Sequence, residues 1–404
     1  MISGEYDILI LDASYKQSLR SARSLGRAGL GVALGESVDE CTVPGPLPAF
    51  RSKYSACNLV LPSYASEPTA FADRVIEFVR EHHTPVVLPT GDASIATVAP
   101  YRKELARLGC TLAVAPDAAL EIANNKTRTL EVADKLGIAY PRSIQIDSPG
   151  DLPAAVTEFG FPFVLKPTIS WTGKAAGRVA PIAVIDNREA LDETTRFLTA
   201  GAGVIAQEWA SGRREGVSLF LVDGELLAYC GHVAHRTSPL LGGVSVLRES
   251  IAVPEEVLDA SVRLAKTIGL EGPCEVEFRR DADGRPLLME INARLAGTME
   301  NAIQSGVDFP LMTWQWASGQ PVSRVENYRT GVRTRWLHGD MRWLDENLRR
   351  NGRPDTVPRS RGFWLFASEF FRTRHYDYID RRDLRPAIGE LQNIARSFRG
   401  IAHH

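Results

Sequence analysis

The residue pattern predicts a multidomain protein of α/β and α+β class, and three observations carry that reading. The chain has 404 residues, too many for one compact core and suited to two or three domains. Its opening alternates apolar runs of strand length with amphipathic helices. Further on, two Asp-Gly pairs, Asp223-Gly224 and Asp283-Gly284, lie between apolar runs, the signal of antiparallel hairpins.

Composition narrows the class. Hydrophobic residues make up 44% and charged residues 24%, the balance of an ordinary globular protein, and no apolar run approaches the ~20 residues of a membrane span. Met1 to Asp7 has no basic segment leading into an apolar one, so no secretory signal is expected. The five cysteines are widely spaced without a CxxC pair, which favours reduced thiols over a disulfide framework or a zinc site. Net charge is −2, but residues 321–404 carry 17 Arg and no Lys against 10 Asp plus Glu. Those arginines alternate with acids and aromatics, the pattern of a folded helical region rather than of a nucleic-acid-binding tail.

In order, Tyr6–Leu11 is a strand, Ser18–Ala28 a helix closed by Gly29, and Gly31–Leu34 the next strand. This β-α-β opening lacks GxGxxG and so lacks a dinucleotide fingerprint. Phe71–Glu81 is a helix, and Pro85–Pro89 a buried strand ending in Thr90-Gly91-Asp92. Ligands sit at such carboxyl ends in open α/β sheets, so Asp92 either touches a substrate or caps the following helix. Residues 1–115 form one α/β unit in this reading. Lys126 opens a helix to about Leu136. Lys166 closes the apolar strand Phe161–Pro167, where a cation is costly unless it snorkels to water or meets an anion. The loop after it offers Gly173 and Gly177 for close backbone approach and Lys174 as a charge for phosphate.

The strand Val204–Trp209 ends in Gln207-Glu208-Trp209, and Glu215 opens the next strand. Its edge offers backbone groups and a carboxylate suited to a purine's Watson–Crick edge. His232 and His235 have no third ligand nearby, so structural or substrate-side roles outweigh metal binding. Arg236 with Gly242-Gly243, Thr90–Asp92 and the Arg333/Arg335 region are candidate walls of an acid-binding pocket. Pro254–Ile268 is a helix with Gly269 as its cap.

It leads into the hairpin around which the chain is organised. With Asp283-Gly284 as a two-residue turn, Glu277 faces Glu290 and Glu275 faces Asn292, all on one face. Opposed like charges destabilise a sheet unless a cation or solvent compensates them. Two carboxylates and an amide oxygen suit Mg²⁺, which also accepts phosphate oxygens; a solvated face is the alternative. Arg294 adds a cation beside them.

Lys126, Lys166, the Gly173–Gly177 loop, Gln207-Glu208, Glu215 and then Glu277, Glu290, Asn292 and Arg294, in that order, resemble the ATP-grasp superfamily over roughly residues 5–320. The nearest branch is that of biotin carboxylase and carbamoyl-phosphate synthase, among predicted carboxylate–amine ligases. The resemblance implies an ATP-grasp fold at 116–320, with a lid at about 140–210. A Rossmann-like domain at 1–115 would precede it, and an Arg-rich extension at 321–404 would follow. It implies that Lys126 and Lys166 hold the α- and β-phosphates, that the glycine loop and Lys174 close over the triphosphate, and that Gln207, Glu208 and Trp209 hold adenine. By the same resemblance Glu215 takes a ribose hydroxyl, Glu277, Glu290 and Asn292 bind Mg²⁺ (or Mn²⁺), and Arg294, with Lys174 and Arg236, serves catalysis. The implied partners are a small carboxylic acid and an amine, with no nucleic acid or membrane. The implied protein is a cytoplasmic monomer or homodimer. Two departures set it apart from true biotin carboxylases: the loop has no run of consecutive glycines, and there is no Met-Lys-Met biotin-attachment motif.

Overall fold

The computed structural model describes residues 5–41, 47–169, 183–195, 203–240, 242–349 and 355–401. The expected phosphate loop, with Gly173, Lys174 and Gly177, lies outside the described residues. Three sheets account for the strands. The first is five-stranded and parallel, in the order β3-β2-β1-β4-β5, from β1 Ile8–Ile10, β2 Val32–Ser37, β3 Ser55–Leu61, β4 Val86–Leu88 and β5 Thr111–Leu112. Its central strands are buried on both faces, which is why they appear in the sequence as unbroken apolar runs. No sequence expectation covered β3, the edge strand, whose residues alternate between partly buried and exposed.

The second sheet is antiparallel, in the order β6-β9-β7-β8, with β6 Ser143–Ile146, β7 Phe163–Pro167, β8 Ala183–Ile185 and β9 Val204–Glu208. Its apolar core, Ile146, Leu152, Phe163, Leu165 and Val204 among others, is separate from the two larger cores. The third sheet has seven strands in the order β14-β13-β10-β11-β12-β15-β16. These are β10 Arg214–Val222, β11 Glu225–Ser238, β12 Val244–Ile251, β13 Gly272–Arg280, β14 Pro286–Asn292, β15 Arg333–Arg335 and β16 His375–Tyr376. Asp223-Gly224 makes the expected two-residue turn, both residues at positive φ, with Val222 opposite Glu225.

The β13–β14 turn differs from expectation in a revealing way. Gly284 N–H donates to the Asp281 carbonyl and Gly284 takes φ +81°, so the loop is three residues long, a turn followed by a left-handed glycine. That places Arg280 opposite Pro286 and Phe278 opposite Leu288. A bulge then restores the expected register where it matters: Glu277 opposite Glu290, and Glu275 opposite Asn292.

Residues beyond 320 do not stand apart from the large sheet, because β15 pairs with β12 and β16 with β15. Their arginines enter the interior. Arg335 and Arg236 converge on Asp340, at 2.6–2.9 Å, and all three side chains are buried. Arg23 binds Asp383 at 2.8 Å, tying helix Lys16–Arg27 to the segment after β16. Arg335 also stacks on Phe366 and Phe370, each 4.5 Å from the ring centroid. Among the described residues no helix is long and apolar enough to cross a membrane.

Candidate functional site

Alternation along β13 and β14 puts Glu275, Glu277, Glu290 and Asn292 on one face, and the charges that face them come from elsewhere in the chain. Arg214 on β10 donates to Glu277 at 3.1 Å, and Asn292 Nδ2 donates to the same carboxylate at 3.3 Å. The Lys126 ammonium, at the start of helix Lys126–Lys135, lies 3.8 Å from Glu290. Asn125 caps that helix by accepting from Arg128 N–H at 3.1 Å, which fixes where Lys126 points. Lys166 sits at the end of β7, 5% exposed, with Glu290 as its strongest charge partner.

Burial and these cations set the ionisation of the carboxylates. Burial pushes Glu277 up, and the Glu290 charge adds to it. Burial also opposes the charge of Glu290, but Lys126 and Lys166 outweigh it and hold its carboxyl below the ordinary value. Burial drives Lys166 down to about 8 against the pull of Glu290. Glu275 is raised by burial, although it accepts from Thr298 Oγ1 at 2.8 Å.

Arg294 leaves the end of β14 and meets Asp92, at 2.8 Å from Nε and 3.4 Å from Nη2, while Nη2 also donates to Asn292 Oδ1 at 3.2 Å. Burial works against its charge, but Asp92 more than offsets this and keeps the guanidinium ionised. Asp92 is the first residue of helix Asp92–Val98 and its side chain does not cap that helix. It orients Arg294 from the start of the helix that follows β4.

The three glutamates, Asn292, Arg214, Arg294 and Asp92 open onto a cavity of 580 Å³ that also reaches Tyr15, Lys16, His232, Trp336 and Tyr378. His232 lies over Gly216, where an added Cβ would come within 2.5 Å of the ring, so a glycine is needed there. Among the described residues no group of three His, Cys, Asp or Glu side chains is gathered to hold a metal unaided. Two carboxylates and an amide nevertheless fit Mg²⁺, which keeps water or phosphate oxygens in the rest of its octahedron.

The family model described as ATP-grasp in the biosynthetic pathway with Ter operon matches residues 233–340. The L-amino acid ligase of Bacillus licheniformis superposes with a TM-score of 0.58 at 20% identity, over 78% of this chain and 75% of that one. The biotin carboxylase domain of Hydrogenobacter thermophilus 2-oxoglutarate carboxylase, in complex with MgADP, ADP and bicarbonate, gives 0.61 at 16% identity over 81% and 73%. The fold is that of the ATP-grasp superfamily. In sequence, D-alanine–D-alanine ligase of Ectopseudomonas mendocina is 26% identical over 189 residues, 42% of this chain and 55% of that protein. The chain thus spans about half the length of the D-alanine–D-alanine ligases it matches.

Within this ATP-grasp fold the structure brings together Lys126, Lys166, Glu277, Glu290, Asn292 and Arg294. Other expected residues are placed differently. Gln207 donates to Ser143 Oγ at 3.0 Å and leaves its own Oε1 buried without a partner among the described residues. Glu208 forms a two-pronged pair with Arg142, at 3.0 and 3.1 Å, with its side chain 42% exposed. Trp209 lies under the Arg279 guanidinium, 4.1 Å from the ring centroid; Glu215 pairs with Arg280 at 2.6 Å and Arg213 at 2.7 Å, yet it lines the large cavity beside Glu277. Arg236 is not in the large cavity. It pairs with Asp340 and lies over the Trp343 ring in a separate cavity of 280 Å³, and Arg335 shares its partner. Neither belongs to the wall expected of them. Arg214, Tyr15 and Lys16 were not anticipated. An arginine two residues before Gly216, which faces Glu277, was the signal for the first, and nothing local marks the other two.

Proposed function

We propose that the chain is a cytoplasmic ATP-dependent carboxylate–amine ligase, which joins a small carboxylic acid to an amine through an acyl phosphate and releases ADP and phosphate. The observation that carries this reading is the placement of Lys126, Lys166 and Arg294 around Glu277, Glu290 and Asn292. Glu277, Glu290 and Asn292 would hold Mg²⁺, whose charge would neutralise the triphosphate. Lys126 and Lys166 would hold the α- and β-phosphates, and Arg294, steadied by Asp92, would meet the acid as its carboxylate attacks the γ-phosphate. The amine then displaces phosphate. The four-stranded sheet is the proposed lid, carrying Lys166 and excluding water from the acyl phosphate. That several of the similar proteins are ligases supports this reading. The likeness to a carboxylase supports a second one, in which bicarbonate is the acid.

Nucleotide binding has a proton signature that tests the Lys166 assignment. With its pKa near 8, Lys166 is largely neutral at pH 9, and a bound polyphosphate restores its proton. Titration calorimetry of MgATP at pH 9, in two buffers of different ionisation enthalpy, is expected to show uptake approaching roughly one proton. In Lys166→Met that uptake disappears and affinity falls. Equal heats in both buffers with wild-type protein would remove Lys166 from the phosphate site. The same shift predicts that the free protein gains stability between pH 8 and 10.5, because over that window the unfolded chain binds a proton that the folded one has released.

A further inference from the structure

The large cavity has a second pole, remote in sequence from the hairpin. It is built by Ser14, Tyr15 and Lys16 of the first domain, Ser245 of β12, and Trp336 and Tyr378 from the last part of the chain. Lys16 is 11% exposed, and its ammonium is poorly matched. Its nearest carboxylate, Asp377, is 3.8 Å away and already engaged by both Nη groups of Arg248. Its hydrogen bond to the Ser245 carbonyl is stretched to 3.5 Å, and its other neighbour is the Trp336 ring, 4.8 Å to the centroid. The hydroxyl of Ser245 is buried without a hydrogen-bond partner among the described residues. Ser245 lines the cavity, and a rotation about its χ1 offers that hydroxyl to a ligand without breaking a bond made elsewhere. An ammonium that shares its nearest carboxylate with an arginine, beside an unused hydroxyl, makes a cradle for a carboxylate. Trp336 is anchored by its Nε1 donating to Glu390 at 2.8 Å, and with Tyr378 it gives the cradle an apolar wall.

Resting on the ligase reading, we propose that the amine substrate is an amino acid with an apolar side chain, its carboxylate held by Lys16 and Ser245 and its side chain laid against Trp336 and Tyr378. The acid to be activated takes the Arg294 end of the same cavity. At 580 Å³ the space lies within the roughly 300–1,000 Å³ of small-molecule sites, with room for two small substrates side by side. Burial lowers the Lys16 ammonium to about 8, against the pull of Asp377, and an incoming carboxylate would restore its charge.

The test is calorimetric binding to the full chain, with and without Mg²⁺ and the non-hydrolysable analogue AMP-PNP. The probes are phenylalanine, leucine and alanine, each against its decarboxylated amine, and 3-phenylpropanoate. Phenylalanine or leucine is expected to bind at least about tenfold more tightly than the matching amine. Lys16→Met is expected to lower amino-acid affinity by about 10- to 100-fold and to bring amino acid and amine to parity. Ser245→Ala, checked with the first variant by circular dichroism and melting, moves the ratio in the same direction. Equal binding of amino acid and amine to the wild type, unchanged affinity in Lys16→Met, or no amino acid binding at all overturns the proposal. So does 3-phenylpropanoate binding as well as phenylalanine, since the cradle would then hold the acid. Amino-acid binding that never leads to phosphate release with any acid would instead overturn the ligase reading and leave the subsite standing.

Discussion

Glu290→Gln is expected to reduce ATP turnover by about 10²–10³-fold or more, since it removes an ionised ligand from the charge-compensating centre of the site. The fold should persist, because the substitution preserves shape on a hairpin held by its own ladder. Its effect on stability is less obvious. Removing one of two facing carboxylates relieves Glu277, but Glu290 also offsets Lys126 and Lys166. Its lowered pKa decides the sign: the ionised form is net favourable in the folded state. The contribution is present above the unfolded-state pKa and fades as pH falls through the lower folded value. The variant is therefore expected to melt slightly below wild type at pH 7 in EDTA, and the gap should close toward acid. Wild-type phosphate release by Glu290→Gln would remove the residue from the metal site.

Asp340→Ala is expected to be the most damaging substitution far from the cavity. It strands two buried guanidiniums, Arg236 and Arg335, and losing one partner of a buried ion pair typically costs about 3–5 kcal/mol. Asp340→Asn, which keeps hydrogen-bond acceptors, should cost less. Urea unfolding, with hydrogen exchange read over helix Leu337–Arg349 and β15, would measure both. A loss under about 1 kcal/mol in Asp340→Ala would mean that the arginines find water or other partners.

Local chemistry in the sequence located the hairpin, because period-two alternation and an Asp-Gly signal act over a few residues. The turn was nevertheless misassigned. The carboxylates still face one another because a three-residue loop and a bulge shift the register by one in opposite senses. The expectation for Arg236 failed for a related reason. It shares strand parity with His232, but the β11–β12 ladder slips on both sides of it, and a one-residue slip turns a side chain to the other face. Pairing between Asp92 and Arg294, 202 residues apart, leaves no trace in local pattern. β15 and β16 were hidden too: they are three and two residues long, and β15 buries its arginines against acids instead of showing an apolar run.

The central claim is that this site activates a carboxylate with ATP and passes it to an amine. Phosphate and ADP release from MgATP, measured across a panel of carboxylic acids with and without amino acids, addresses it most directly. Release is expected to require one acid and one amino acid together, with one phosphate freed for each amide formed. Release driven by bicarbonate without any other acid, or silence across every pair while MgATP binds, would contradict it.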